Sequence, residues 1–82
     1  DYALLYQAVA LIELKELEAA KQMLKKYNGT KNNEYTPYYK WYLALVELKT
    51  NEKEKAIVRL KELATKENPM QQMAKKLLAE LE

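Results

Sequence analysis

The 82-residue chain contains no cysteine and no histidine. Without cysteine there is no disulfide and no thiolate metal ligand, and nothing to read of the redox compartment. Without either residue, the commonest agents of nucleophilic and acid–base catalysis are missing. The aliphatic hydroxyls are Thr30, Thr36, Thr50 and Thr65, with no base at a motif spacing. One glycine excludes glycine-rich phosphate loops, and with two prolines it leaves few turns. No apolar run reaches the ~18 residues of a membrane span. Net charge is only +2, with 14 basic and 12 acidic residues interspersed. That is too weak a positive excess for nucleic acid. We therefore expect no catalysis, no cofactor, no metal, no small-molecule substrate and no nucleic acid. The chain starts at Asp1, without Met, and enters a helix at once. This suggests a fragment or processed form, in which a lost signal or anchor stays open.

What is present is Leu, Ala, Lys and Glu, a mixture that favours helix almost throughout. Hydrophobic residues make up 49% and charged residues 32%, a globular rather than a disordered composition. The chain is one domain, near the lower size limit for its own core. Residues 2–15 are apolar nearly all round and predict a helix buried on most faces. Residues 17–27 carry Leu17, Ala20, Met23, Leu24 and Tyr27 at helical spacing, stopped by Asn28-Gly29. Residues 28–36 form the one real loop. Thr36-Pro37 reads as a cap and first helical position, opening a third helix that runs to about Lys49. Thr50-Asn51 is a turn. A fourth helix spans about 52–66, with the stripe Ala56, Ile57, Leu60, Leu63 and Ala64. Asn68-Pro69 repeats the cap-and-proline signal, and residues 69–82 form a one-sided helix suited to closing a stack.

The order is hairpin, loop, hairpin, single helix, and the hairpins repeat. ALIELK at Ala10 returns as ALVELK at Ala44, a spacing of 34. Ala8, Ala20, Leu24 and Tyr27 match Ala44, Ala56, Leu60 and Leu63 at a spacing of 36, as Tyr2 and Tyr6 match Tyr38 and Tyr42. The two spacings conflict, and 36 is favoured because it also places Leu14 and Leu17 around the first turn. Such a period suggests a helical solenoid.

The stretch WYLALVELKTNEKEKAIVRLKELATKENP, residues 41–69, resembles a tetratricopeptide repeat. An aromatic opens its first helix, and Leu43-Ala44 stands where that family has Leu and a small residue. Ala56 stands at the family's alanine, Leu60 and Leu63 follow at packing positions, and Asn68-Pro69 closes the repeat. The family glycines are replaced by Ala8, Ala44, Lys15 and Asn51, and Glu47 stands where an aromatic is usual. The resemblance implies an all-α, right-handed α-α superhelix of five helices. Repeat one covers about 2–28, repeat two about 37–67, and a C-terminal capping helix 69–82. An unrelated five-helix bundle is the plain alternative.

In that family the first helices of the repeats line a concave face that binds peptides or partner helices. By resemblance that face is lined here by Tyr2, Leu5, Tyr6, Val9, Ile12 and Glu13. Repeat two adds Tyr38, Trp41, Tyr42, Leu45, Leu48 and Lys49. The expected partner is a protein or peptide, with Trp41 and Tyr42 as the first anchors. The expected partner-binding set is Tyr2, Tyr6, Val9, Glu13, Tyr38, Trp41, Tyr42, Leu45 and Lys49. A rival expectation is that these residues pack on the last helix, on a missing upstream segment, or on a second copy in a homodimer. The family's carboxylate clamp is absent, since Leu5, Val9, Trp41 and Leu45 stand at its places. Glu16/Glu18 and Glu52/Glu54 read as charges that offset helix dipoles. Lys49, Lys53, Lys55, Arg59 and Lys61 read as a solvated face with pairs such as Glu62–Lys66. Asn28-Gly29-Thr30 matches a glycosylation acceptor but is better explained as a turn.

Overall fold

Two residues with left-handed backbone, Lys15 and Asn51, both at φ 63°, mark where the chain doubles back. They sit 36 positions apart, and so do the backbone hydrogen bonds that close the turns beside them. The computed structural model describes residues 2–28 and 34–82, with side chains from residue 3 to 26 and from 34 onward. Over those residues the chain is all-α. Its helices are α1 (Tyr2–Glu13), α2 (Leu17–Asn28), α3 (Thr36–Lys49), α4 (Lys53–Thr65) and α5 (Gln71–Leu81). No helix among them is long and apolar enough to cross a membrane.

The turns out of α1 and α3 share one hydrogen-bond pattern. The Glu16 N–H donates to the Leu11 carbonyl, and the Glu52 N–H to the Glu47 carbonyl, both at 2.8 Å. That long backward bond past a left-handed residue satisfies an orphan carbonyl at the helix end. Glycine usually takes the left-handed place; here Lys15 and Asn51 do, and α1 ends at Glu13 instead of continuing to Lys15. The next helices open alike, with Ala20 donating to Glu16 at 3.0 Å and Ala56 to Glu52 at 3.1 Å. The period is thus 36, and the hexapeptide match at 34 is coincidental.

Two cores result, and α3 belongs to both. Leu5 and Ala8 of α1, Ala20 and Leu24 of α2, and Tyr39, Leu43 and Val46 of α3 form the first. Trp41 and Ala44 of α3, Ala56, Leu60 and Leu63 of α4, and Ala74 and Leu78 of α5 form the second. The four alanines Ala8, Ala20, Ala44 and Ala56 have no exposure at all. A side chain of one carbon lets helices approach closely, and bulkier neighbours fill the flanks. The packed pairs follow chain order: α1 on α2, α2 on α3, α3 on α4, α4 on α5, with α1 also touching α3.

Three sequence expectations are corrected. The N-cap of α3 is Tyr35, not Thr36; the Tyr35 carbonyl accepts from Tyr38 at 3.0 Å and Tyr39 at 3.1 Å. Tyr35 and Tyr38 pack on the first core, which sets the start one residue earlier. The last helix begins at Gln71, because Asn68 is engaged elsewhere. Its amide donates to the Leu63 carbonyl at 2.9 Å and the Lys66 carbonyl at 2.7 Å, and its oxygen accepts from the Met70 N–H at 2.8 Å. Asn68 therefore closes α4 and turns the chain before α5 opens. Finally, α1 is not covered on most faces: Leu4 is 38% and Tyr6 67% exposed, because among the described elements α2 and part of α3 lie against it.

Candidate interaction groove

The face shared by α1 and α3 carries an open hollow of about 410 Å³, lined by Leu5, Tyr6, Val9, Tyr35, Tyr38 and Tyr42. Among the described residues, no charged side chain lines it. Four tyrosines supply broad apolar faces with polar tips, and Leu5 and Val9 form an aliphatic floor. The spacing explains the assembly. Tyr6 and Val9 stand one helical turn apart on α1, and Tyr38 and Tyr42 one turn apart on α3. A second hollow of about 320 Å³ adjoins it, lined by Tyr6, Val9, Ala10, Glu13 and Leu14. Tyr6 and Val9 line both, so Tyr6 stands as a ridge between two depressions.

Of the residues expected to bind a partner, Tyr6, Val9, Tyr38 and Tyr42 meet in the hollow, and Glu13 lies in the adjoining one. The Tyr2 side chain lies outside the described residues, as does the loop tract 29–33 with its Asn28-Gly29-Thr30 signal. Leu45 is half-buried against the second core together with Leu48, and Lys49 is exposed at the end of α3. Trp41 is misplaced by the sequence reading. It is only 9% exposed and belongs to the second core beside Ala44, Ala56 and Leu60. On a helix buried from two sides, an aromatic next to Tyr42 turns toward α4 and α5 instead of the groove. Tyr39, two residues before Trp41, has no exposure and lies in the first core. Tyr35 joins the hollow from the turn before α3.

A hydrophobic row continues beyond α3. Tyr35, Tyr38 and Tyr42 are echoed at a spacing of 35 by Met70, Met73 and Leu77. Met70 and Leu77 pack on the second core with Leu45, while Met73 is exposed. The helix expected to close the stack thus also extends its aromatic row with pliant side chains.

Away from the groove, an ion pair joins the two hairpins and others tie the second together. Lys21 of α2, 6% exposed, reaches Glu52 at the start of α4 and Glu18 at 3.4 Å. Glu52 also takes Lys55 at 2.7 Å and the Thr50 hydroxyl at 3.4 Å. In the second hairpin, the Arg59 Nε donates to Glu47 Oε1 at 2.8 Å; Glu47 has no exposure and its Oε2 has no hydrogen-bond partner among the described residues. Glu62, expected to pair with Lys66, meets Lys40 at 3.2 Å. Lys61 meets Glu82 at 3.5 Å. Three members of the basic run, Lys55, Arg59 and Lys61, therefore face carboxylates.

The hydrogen bond from Lys21, seconded by that from Lys55, holds the Glu52 carboxyl down to about 2 from its ordinary 4.5. The same Glu52 contact raises Lys21 above 10.5, against the opposing effect of burial. A carboxyl depressed in the folded state stabilises the fold above its unfolded value, and that contribution disappears as pH falls through the folded value. Stability should therefore drop between pH 4.5 and about 2, and Glu52→Gln should flatten the thermal midpoint over that window. An unchanged profile in the variant would remove Glu52 from the acid response.

Set against protein-family models, curated proteins and solved structures, the chain matches none of them.

Proposed function

We propose that the chain is a tetratricopeptide-like interaction module. Its concave face, built from α1 and α3 and extended by α5, takes up an apolar segment of a protein partner. The observation that carries this reading is the open hollow of about 410 Å³ whose described lining is six apolar or aromatic residues, with no charge among them. Such a surface gains by covering Tyr, Leu and Val with another apolar face, and the tyrosine tips give it direction. The family assignment is supported by the 36-residue recurrence of the turns and by the alanines buried at equivalent places. The module works by shape and burial and performs no chemistry. The reading calls for neither catalysis nor nucleic-acid binding, and the carboxylates that face Lys55, Arg59 and Lys61 argue against the latter.

A displayed peptide library should yield apolar or aromatic binders. Tyr6→Ala and Tyr38→Ala should each weaken them by about 2 kcal/mol, roughly thirtyfold, with helicity retained. Trp41→Ala should instead act through stability. Binding should vary little with salt, whereas a phosphate-contacting surface loses affinity steeply. Binders indifferent to both tyrosines would sink the groove as the site.

A further inference from the structure

The rim of the groove is charged in a way that an anonymous apolar peptide does not use. On α1 the row Tyr6, Val9 ends in Glu13; on α3 the equivalent row Tyr42, Leu45 ends in Lys49, 36 positions later. Glu13 and Lys49 are both exposed, and neither has an ion pair among the described residues. Among the described residues, Glu13 is the one charged residue lining either hollow. The same face also carries a protrusion beside a depression, since Tyr6 is 67% exposed at the edge of the hollow it helps to line.

A two-fold axis running parallel to the helices, between α1 and α3, would place α1 of each copy over α3 of the other with their ends aligned. Under that rotation position 13 faces position 49, twice. A pair of acids or a pair of bases there would repel; an acid and a base attract. The rim is therefore neutral and complementary to itself, which is what an isologous contact requires. The protruding Tyr6 and the neighbouring hollow are related in the same reciprocal way.

We propose that the partner of the concave face is a second copy of this chain, joined groove to groove, with Tyr6 of each copy entering the hollow of the other and Glu13 facing the partner's Lys49. This rests on reading the concave face as an interaction surface, and names its occupant.

The test is sedimentation velocity over a dilution series with charge-swapped chains. Wild type should dimerise. Glu13→Lys places a base opposite a base, Lys49→Glu an acid opposite an acid, and each should weaken self-association by at least about tenfold. Mixed in equal amounts, the two variants should form a heterodimer, because every rim contact is then opposite in sign. The double variant should dimerise again. Both positions are exposed at helix ends, and circular dichroism verifies that each variant stays helical. A wild type that is monomeric throughout overturns the proposal, as does a dimer indifferent to both swaps. If that monomer still binds an apolar peptide in a manner sensitive to Tyr6→Ala, the interaction-module reading stands and only its occupant changes. A monomer that binds no peptide removes both.

Discussion

Arg59→Met is expected to destabilise the chain by about 3–5 kcal/mol, read as a lower urea midpoint. The Glu47 carboxylate has no exposure, and the Arg59 Nε at 2.8 Å is its one cationic partner among the described residues. Its other oxygen, Oε2, already lacks a hydrogen-bond partner among the described residues. Removing the guanidinium leaves a buried charge with neither water nor counter-ion, which is far worse than losing one hydrogen bond. A domain of this size has only about 4–12 kcal/mol in total, so the loss is a large share. The pair itself need not be stabilising relative to an apolar one. Glu47→Leu combined with Arg59→Met should come out between neutral and about 4 kcal/mol more stable than wild type. The large non-additivity in that cycle is the signature to look for. A small single-variant loss would mean that Glu47 reaches water after all.

The same glutamate shows how far the sequence could be read. ALIELK and ALVELK align Glu13 with Glu47, yet Glu13 is exposed on the groove rim and Glu47 sits in the protein interior. Identical letters occupy opposite environments, because the period is carried by the left-handed turns at Lys15 and Asn51, not by the hexapeptide. Helices and their order were legible because Leu and Ala recur at helical spacing, a local property. The groove was half legible for a related reason. Tyr6, Val9, Tyr38 and Tyr42 fall on matched rows of equivalent helices. Trp41 did not follow, since α3 is buried from two sides and its aromatics point several ways. The links Lys21–Glu52, Arg59–Glu47 and Lys40–Glu62 were out of reach of local pattern. Each joins residues on different helices or their caps, and a run of lysines and glutamates fits many pairings equally well. The starts at Tyr35 and Met70 were missed because Thr-Pro and Asn-Pro resemble caps. At Asn68, hydrogen bonds back to the Leu63 and Lys66 carbonyls around the end of α4 use the side chain first.

Leu43→Ala should cost about 3 kcal/mol, within the 2–5 usual for a fully buried leucine. Leu43 has no exposure and lies between Tyr39 and Val46 in the first core. Truncation removes three carbons where α1, α2 and α3 converge, and the zero-exposure alanines nearby leave the helices no slack to close the gap. More telling than the size is the shape of the transition. In a longer repeat array, stability is a sum of units and interfaces, and one unit can loosen alone. Here α3 supplies Tyr39, Leu43 and Val46 to one core and Trp41 and Ala44 to the other. Neither hairpin has a complete core without it. Leu43→Ala should therefore lower the urea midpoint while leaving the slope unchanged, with both hairpins melting together. Leu78→Ala, in the terminal helix, should instead loosen α5 before the rest and broaden the curve. A broadened transition in Leu43→Ala would mean that the second hairpin survives alone, and that the groove's two walls are held by separate cores.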